Sequence, residues 1–274
     1  MLFVSGEKTE RFAKAMAAGA DLVCIDLEDA VHPARKVQAR QQVLGWLQAH
    51  APQAGEPRRA LRVNGLRTLE GLRDLVALAD SGLRLDVLLL PKTEAAADIQ
   101  LLQAVVGAQV DGIVALIETP LGIEHAADIA RAPVMALMLG GADLSAELDA
   151  SFDPHGLHYA RGRLVNAAKA HGRQAWDVPH IDLSDAAGLS AETRAVLALG
   201  FDCKTAIHPQ QIAAIHVAFQ PTPADLDWAR TLLAAVPEGG VDGGQTGAFL
   251  FNGRMVDAPL LKKARRIAER ATLS

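Results

Sequence analysis

The chain has 274 residues, of which 50% are hydrophobic and 22% charged, with a net charge of −5. This is close to the size of one α/β barrel and apolar enough to bury a large core, which excludes a disordered chain. The acidic balance excludes a dedicated nucleic-acid binder, and no apolar run reaches the roughly 18–20 residues of a membrane span.

Aromatic residues make up only 4% of the chain, so the core must be built from Ala, Leu, Val and Ile. Glu7, Lys8, Glu10 and Arg11 lie in the first dozen residues, which is not the pattern of a secretory signal. Cys24 and Cys203 both fall in apolar runs and read as small buried residues of a reducing compartment. A cytoplasmic protein is expected.

In chain order, strand-like runs occur at Leu2–Val4, Asp21–Leu27, Ala60–Val63, Asp86–Leu90, Gly112–Ile117, Val134–Leu139, Gln174–Val178 and Lys204–Ile207. Most are continuously apolar, as strands covered on both faces are. Segments of helical length separate them. Val31–His50 has a start at Pro33, Thr93–Val106 opens on Thr93-Glu94, and Asp153-Pro154 pairs a capping Asp with a helix-starting Pro. Gly19, Gly82, Gly172 and Gly200 stand where helices should stop. Eight β–α units predict a (β/α)8 TIM barrel over residues 1–221. A doubly wound sheet is the rival, but only Ser5-Gly6 follows the first strand, and it lacks the glycine turn of a dinucleotide site.

Residues 222–274 form an extension that the barrel does not need. Thr222–Val236 and Asp257–Ala271 read as helices, and the glycine-rich stretch 237–247 between them as a hinge. A C-terminal helical lid or arm, packing on a neighbouring subunit, is expected.

Barrel chemistry sits where strands end. Here the strands lead into Glu28-Asp29, Arg62-Val63-Asn64, Pro91-Lys92, Glu118-Thr119-Pro120, Gly140-Gly141-Ala142-Asp143, Asp177 and His208-Pro209. Glu118 and Asp143 terminate consecutive strands, neighbours about 5 Å apart in a barrel. Two such neighbouring carboxylates would repel unless a cation or proton lies between them. Oxygen donors with few protein ligands suit Mg2+, with Mn2+ as the alternative. Arg62 can face the same space and pair with a substrate carboxylate. Competing chemistry is weaker: His155 and His158 read as a surface pair, no G-x-S-x-G surrounds a serine, and Lys92 reads as a salt-bridge or phosphate contact rather than a Schiff base.

Ordered along the chain are L-F-V-S-G (2–6), D-L-E-D-A-V (26–31), R-V-N-G (62–65), L-L-P-K (89–92), I-E-T-P (117–120), G-G-A-D-L (140–144), K-T-A-I-H-P-Q-Q (204–211) and F-N-G-R-M-V-D-A-P (251–259). With this set the chain resembles the citrate lyase β-subunit-like family, the malyl-CoA and citramalyl-CoA lyases of the pyruvate-aldolase barrel group. The resemblance implies Mg2+ on Glu118 and Asp143, with substrate bound by Arg62, Glu118 and the backbone of Gly141 and Ala142. It implies Arg62 and Asp257 as the catalytic residues, Asp257 being the acid–base delivered by the lid of another subunit in a homo-oligomer, often a trimer. Glu28 and Asp29 would orient metal-bound waters. The implied reaction is cleavage of a 3-hydroxy-dicarboxylyl-CoA to acetyl-CoA and a 2-oxo acid, CoA being part of the substrate. The alternatives are a CoA-independent aldolase on hydroxy-keto acids, or the β subunit of a multiprotein citrate lyase acting on an acyl-carrier-protein thioester. Two departures stand out: Ser5 replaces the family's proline, and Cys203 replaces the glycine before Lys204.

Overall fold

The computed structural model describes residues 1–236 and 248–272. The chain divides into two compact units, residues 1–215 and 216–274.

The first unit holds eight strands: β1 (Leu2–Ser5), β2 (Leu22–Asp26), β3 (Arg58–Arg62), β4 (Leu85–Leu90), β5 (Val110–Ile117), β6 (Ala136–Leu139), β7 (Gln174–Asp177) and β8 (Cys203–Lys204). They form one sheet in sequence order, and every pairing is parallel. Closure comes just beyond β8, where Ala206 bridges Leu2 in parallel. The Phe3 N–H donates to the Ala206 carbonyl at 2.9 Å, and the Ala206 N–H to the Met1 carbonyl at 2.8 Å. The expected (β/α)8 barrel is therefore present. β8 is shorter than the expected Lys204–Ile207 because a side chain replaces the ladder: Gln211 Oε1 accepts from the N–H groups of Ile207 and His208 at 2.9 and 3.2 Å.

The helices of this unit are α1 (Phe12–Met16), α2 (Lys36–Ala49), α3 (Leu69–Ser81), α4 (Ala96–Val106), α5 (Pro120–Glu124) and α6 (Ala126–Arg131). After them come α7 (Gly141–Glu147), α8 (His158–Ala170), α9 (Ala186–Leu199) and α10 (Gln210–Phe219), which runs across the division between units. The expected stops at Gly82 and Gly200 follow α3 and α9, with φ of +64° and +107°, a region open to glycine without penalty. Some starts lie later than expected. Thr93 is buried and donates its hydroxyl to the Leu90 carbonyl, so α4 begins at Ala96, with Asp98 accepting from the N–H of Ala95. Asp153 closes a turn through the N–H groups of His155 and Gly156, and α8 begins only at His158.

Side chains alternate across each strand, and this alternation builds the site. One set, Leu22 and Cys24, Ala60, Val87 and Leu89, Val114 and Leu116, Ala136 and Met138, and Trp176, packs into a single cluster that fills the lumen. The other set, including Val23, Ile25, Leu61, Leu88, Ile113, Leu137 and Ala175, is buried toward the helices. One step further along the lumen face come Asp26, Arg62, Glu118 and Gly140. The apolar fill thus ends in a polar floor at the C-terminal ends of the strands.

The second unit holds α11 (Pro223–Ala234), the antiparallel pair β9 (Phe249–Phe251) and β10 (Arg254–Val256), and α12 (Ala258–Thr272). Thr222 caps α11: its Oγ1 accepts from the Asp225 N–H at 3.1 Å while the Asp225 carboxylate accepts from the Thr222 N–H at 3.2 Å. Asn252-Gly253 turns the hairpin, and Ala229, Leu232, Val256, Leu261 and Ala264 form the core of this unit. The glycine-rich hinge expected at 237–247 lies outside the described residues. Among the described residues no helix is long and apolar enough to cross a membrane.

Candidate active site

Glu118 immediately follows β5, on the lumen face, and is 3% exposed. Its Oε1 accepts from the Lys92 N–H at 2.7 Å. Across the β5–β6 pair, Gly140 leaves the room that this carboxylate occupies. A Cβ on Gly140 would lie 2.4 Å from Glu118 Cβ and 2.5 Å from its Oε2. Asp143 does not end β6 as the sequence reading had it; it stands three residues past Gly140, in the first turn of α7. A half-exposed Lys92 side chain joins the two acids: its Nζ donates to Asp143 Oδ2 and lies 3.9 Å from Glu118 Oε1. Glu118 and Asp143 therefore converge on one ammonium.

The other carboxylates gather on Arg62, at the end of β3. Asp26, buried at the end of β2, takes the guanidinium fork: Nε donates to Oδ1 at 2.7 Å and Nη2 to Oδ2 at 2.6 Å. Arg62 Nη1 meets Glu28 at 2.8 Å and Asp29 at 3.7 Å. Asp26 also accepts from the N–H groups of Glu28 and Ala30, which fixes the turn that carries Glu28 and Asp29. The bidentate geometry anticipated between Arg62 and a substrate is made here with Asp26, a residue that the sequence placed in its strand and in D-L-E-D-A-V without giving it a role at the site.

Burial dominates the electrostatics. It pushes the Glu118 carboxyl up to about 7, with Asp143 adding to the shift and Lys92 and Arg62 opposing it. Burial likewise pushes Glu28 up to about 8, against Arg62 and with help from Asp29 and Glu118. Working against burial, Asp26 and Glu28 hold Arg62 above its usual range, and Asp143 and Glu118 do the same for Lys92. The rim thus carries more buried carboxylate than its own cations neutralise.

That excess is where a cation fits. Among the described residues no set of three or more His, Cys, Asp and Glu is arranged as a metal cage. Two carboxylates with open positions are nevertheless a donor set that a hard divalent ion accepts, since such an ion keeps waters and substrate oxygens as its other ligands. The ammonium of Lys92 already stands where positive charge is wanted. Gly141 and Ala142 open α7, whose first N–H groups have no partner within the helix. Gly141 is enclosed: a Cβ there would meet Leu157, Phe152 and Val178 within 3 Å.

Other polar strand ends turn away from this floor. Asp177 and Lys204 follow Trp176 and Cys203 and so face the helices, where both are fully buried. Lys204 Nζ donates to Asp177 at 2.7 Å and to Glu192 at 2.9 Å, and Arg161 donates to the same two acids. This network ties β7 and β8 to α8 and α9. Thr119 of I-E-T-P caps α5, its Oγ1 accepting from the Gly122 N–H at 3.1 Å. Asp257, in the second unit, precedes α12 and accepts from the Leu260 N–H at 3.5 Å.

Residues 1–209 match the HpcH/HpaI aldolase/citrate lyase family model. A citrate lyase subunit beta-like protein of Mycobacterium tuberculosis is 38% identical over 278 residues, covering 98% of this chain and 94% of that one. The mitochondrial citramalyl-CoA lyase of Homo sapiens is 31% identical over 292 residues, covering 99% of this chain and 85% of that one. Among solved structures, CitE from Mycobacterium tuberculosis in complex with magnesium, acetoacetate and coenzyme A superposes with a TM-score of 0.84 at 37% identity, covering 99% of this chain and 97% of that chain. The chain belongs to the HpcH/HpaI aldolase/citrate lyase family and, like these relatives, is a carbon–carbon lyase.

Proposed function

We propose that the chain is a Mg2+-dependent lyase that cleaves a 3-hydroxy-dicarboxylyl-CoA thioester, such as citramalyl-, malyl- or citryl-CoA, to acetyl-CoA and a 2-oxo acid. The observation that carries this reading is the convergence of Glu118 and Asp143 on one cation above an apolar lumen. The magnesium and coenzyme A of the CitE complex, and the activity named for the human relative, support it.

Glu118 and Asp143 would hold Mg2+, with Mn2+ as the alternative. The ion, when bound, polarises the hydroxyl and carboxylate oxygens of the substrate and eases loss of the hydroxyl proton. Glu28 and Asp29 orient the surrounding waters. Arg62, pinned by Asp26, stabilises negative charge on the oxygen that becomes the carbonyl. The opening N–H groups of α7, at Gly141 and Ala142, receive the substrate carboxylate. Breaking the carbon–carbon bond leaves a thioester enolate, and Asp257 protonates its carbon; in condensation the same carboxylate removes that proton. The hydroxyl proton passes to solvent water and Asp257, once it has protonated carbon, regains a proton from solvent, so no co-reactant is consumed. Residues 222–274 act as the lid that brings Asp257 to the site of a neighbouring copy in a homo-oligomer, a trimer in this reading.

The test is a panel of malyl-, citramalyl- and citryl-CoA, with the free acids beside them, assayed with Mg2+ and with EDTA. One thioester is expected to be cleaved, and EDTA to abolish the reaction. Cleavage of free acids alone would sink the CoA reading, and full activity in EDTA would sink the metal. Cleavage of the citryl group only as an acyl-carrier-protein thioester, and not as citryl-CoA, would point to the citrate lyase subunit, the reading that the Mycobacterium tuberculosis relative's name favours.

A further inference from the structure

Lys92 is bound to the candidate metal site twice. Its backbone N–H donates to Glu118 Oε1 at 2.7 Å, and its ammonium donates to Asp143 Oδ2 while lying 3.9 Å from Glu118 Oε1. The residue also holds φ at +50°, a left-handed conformation that a residue with a Cβ adopts rarely. Such a backbone persists where surrounding structure over-determines it, commonly at functional sites. Here the left-handed turn after Pro91 aims the N–H at one carboxylate while the side chain reaches the other. The ammonium thus takes the position between the two acids that a divalent ion would need, and its side chain, 45% exposed, has solvent to move into.

We propose that Lys92 is the resident counter-ion of the Glu118–Asp143 pair. Its ammonium keeps the two carboxylates together before the divalent ion arrives, and it swings outward to admit that ion. Lys92 then sets the affinity of the site by competition, since entry of the metal requires breaking the Lys92–Asp143 pair and the ammonium repels a second cation nearby. This inference rests on the proposal that Glu118 and Asp143 hold the metal. It assigns to Lys92 a role opposite to that of a supporting group: removal of the amine strengthens metal binding.

Mn2+ binding to the metal-stripped protein, followed by calorimetry and by electron paramagnetic resonance, tests it without reference to activity. Lys92→Met is expected to bind Mn2+ about three- to tenfold more tightly than the unaltered chain, by relief of the competing charge. Lys92→Arg, which keeps the charge, is expected to stay within about twofold. Unchanged or weaker binding by Lys92→Met, with the unaltered chain binding normally, overturns the counter-ion role and leaves the metal site standing. No Mn2+ binding by the unaltered chain overturns both. Should Lys92→Met fail to fold, Lys92→Gly suits φ of +50° and carries the same comparison.

Discussion

Glu118 is an acid taken almost wholly out of water, and its titration exposes what that costs the fold. Its folded carboxyl titrates at about 7, against 4.5 as the ordinary value. Between those values the folded chain holds a proton that the unfolded chain has released, so stability falls as pH rises through the window. Glu28 extends the window to about 8. The metal-free protein is therefore expected to melt at progressively lower temperature from pH 5 to pH 8. Glu118→Gln keeps an oxygen for the Lys92 N–H and removes the charge. It should flatten much of that slope and stabilise the metal-free chain at pH 8 by up to about 3 kcal/mol. The same variant should abolish any rise in melting temperature on adding Mg2+. Melting curves in EDTA and in Mg2+ across the pH range check both; an unaltered slope in Glu118→Gln would show that the buried charge lies elsewhere.

Elements place these residues by strand parity, and that explains what the sequence made readable. Strand order and helix stops were legible because continuous apolar runs and glycines carry a local signal. Asp26 was hidden because it closes an apolar run and looks like a strand residue. Its even spacing from Leu22 and Cys24 is the sign that it faces the lumen beside Arg62. The same parity separates Glu118, on the lumen side, from Asp177 and Lys204, on the helix side, although all of them follow apolar residues. Asp143 was recognised as a partner of Glu118, but its seat on α7 was not, because β6 ends at Leu139 and leaves only Gly140 before the helix. Lys92 was legible as a salt-bridge contact, and it does pair with Asp143, but its left-handed turn was not, since nothing local in a Pro-Lys pair announces such a backbone. Gly140 ties β5 to β6 at the site. Gly140→Ala would drive a methyl group into Glu118, so it should cost about 1–3 kcal/mol in urea unfolding and weaken Mg2+ binding with it. A fully stable variant with normal metal affinity would mean that Glu118 has freedom to move aside.

At the scale of the whole molecule, Arg62 lies in the first unit and Asp257 in the second. If the acid–base comes from another copy, Arg62→Ala and Asp257→Asn should each lose nearly all lyase activity while remaining folded. Co-expressed or mixed under subunit exchange, they should recover part of it, because some sites then combine an intact Arg62 with an intact Asp257. Activity that stays at the level of the separate variants, with exchange demonstrated, would place both residues within one chain's site. The barrel seam has a consequence of another kind. Seven strand pairings join successive strands, whereas Ala206 meets Leu2 roughly 200 residues away. At synthesis rates of about 5–20 residues per second, β1 must wait on the order of 10–40 s for that partner to be made. Throughout that interval the growing sheet keeps an open edge of unpaired N–H and C=O groups next to an unsealed apolar lumen. The nascent chain is thus most open to misassociation late in its synthesis, when nearly the whole barrel exists and only its last bond is missing.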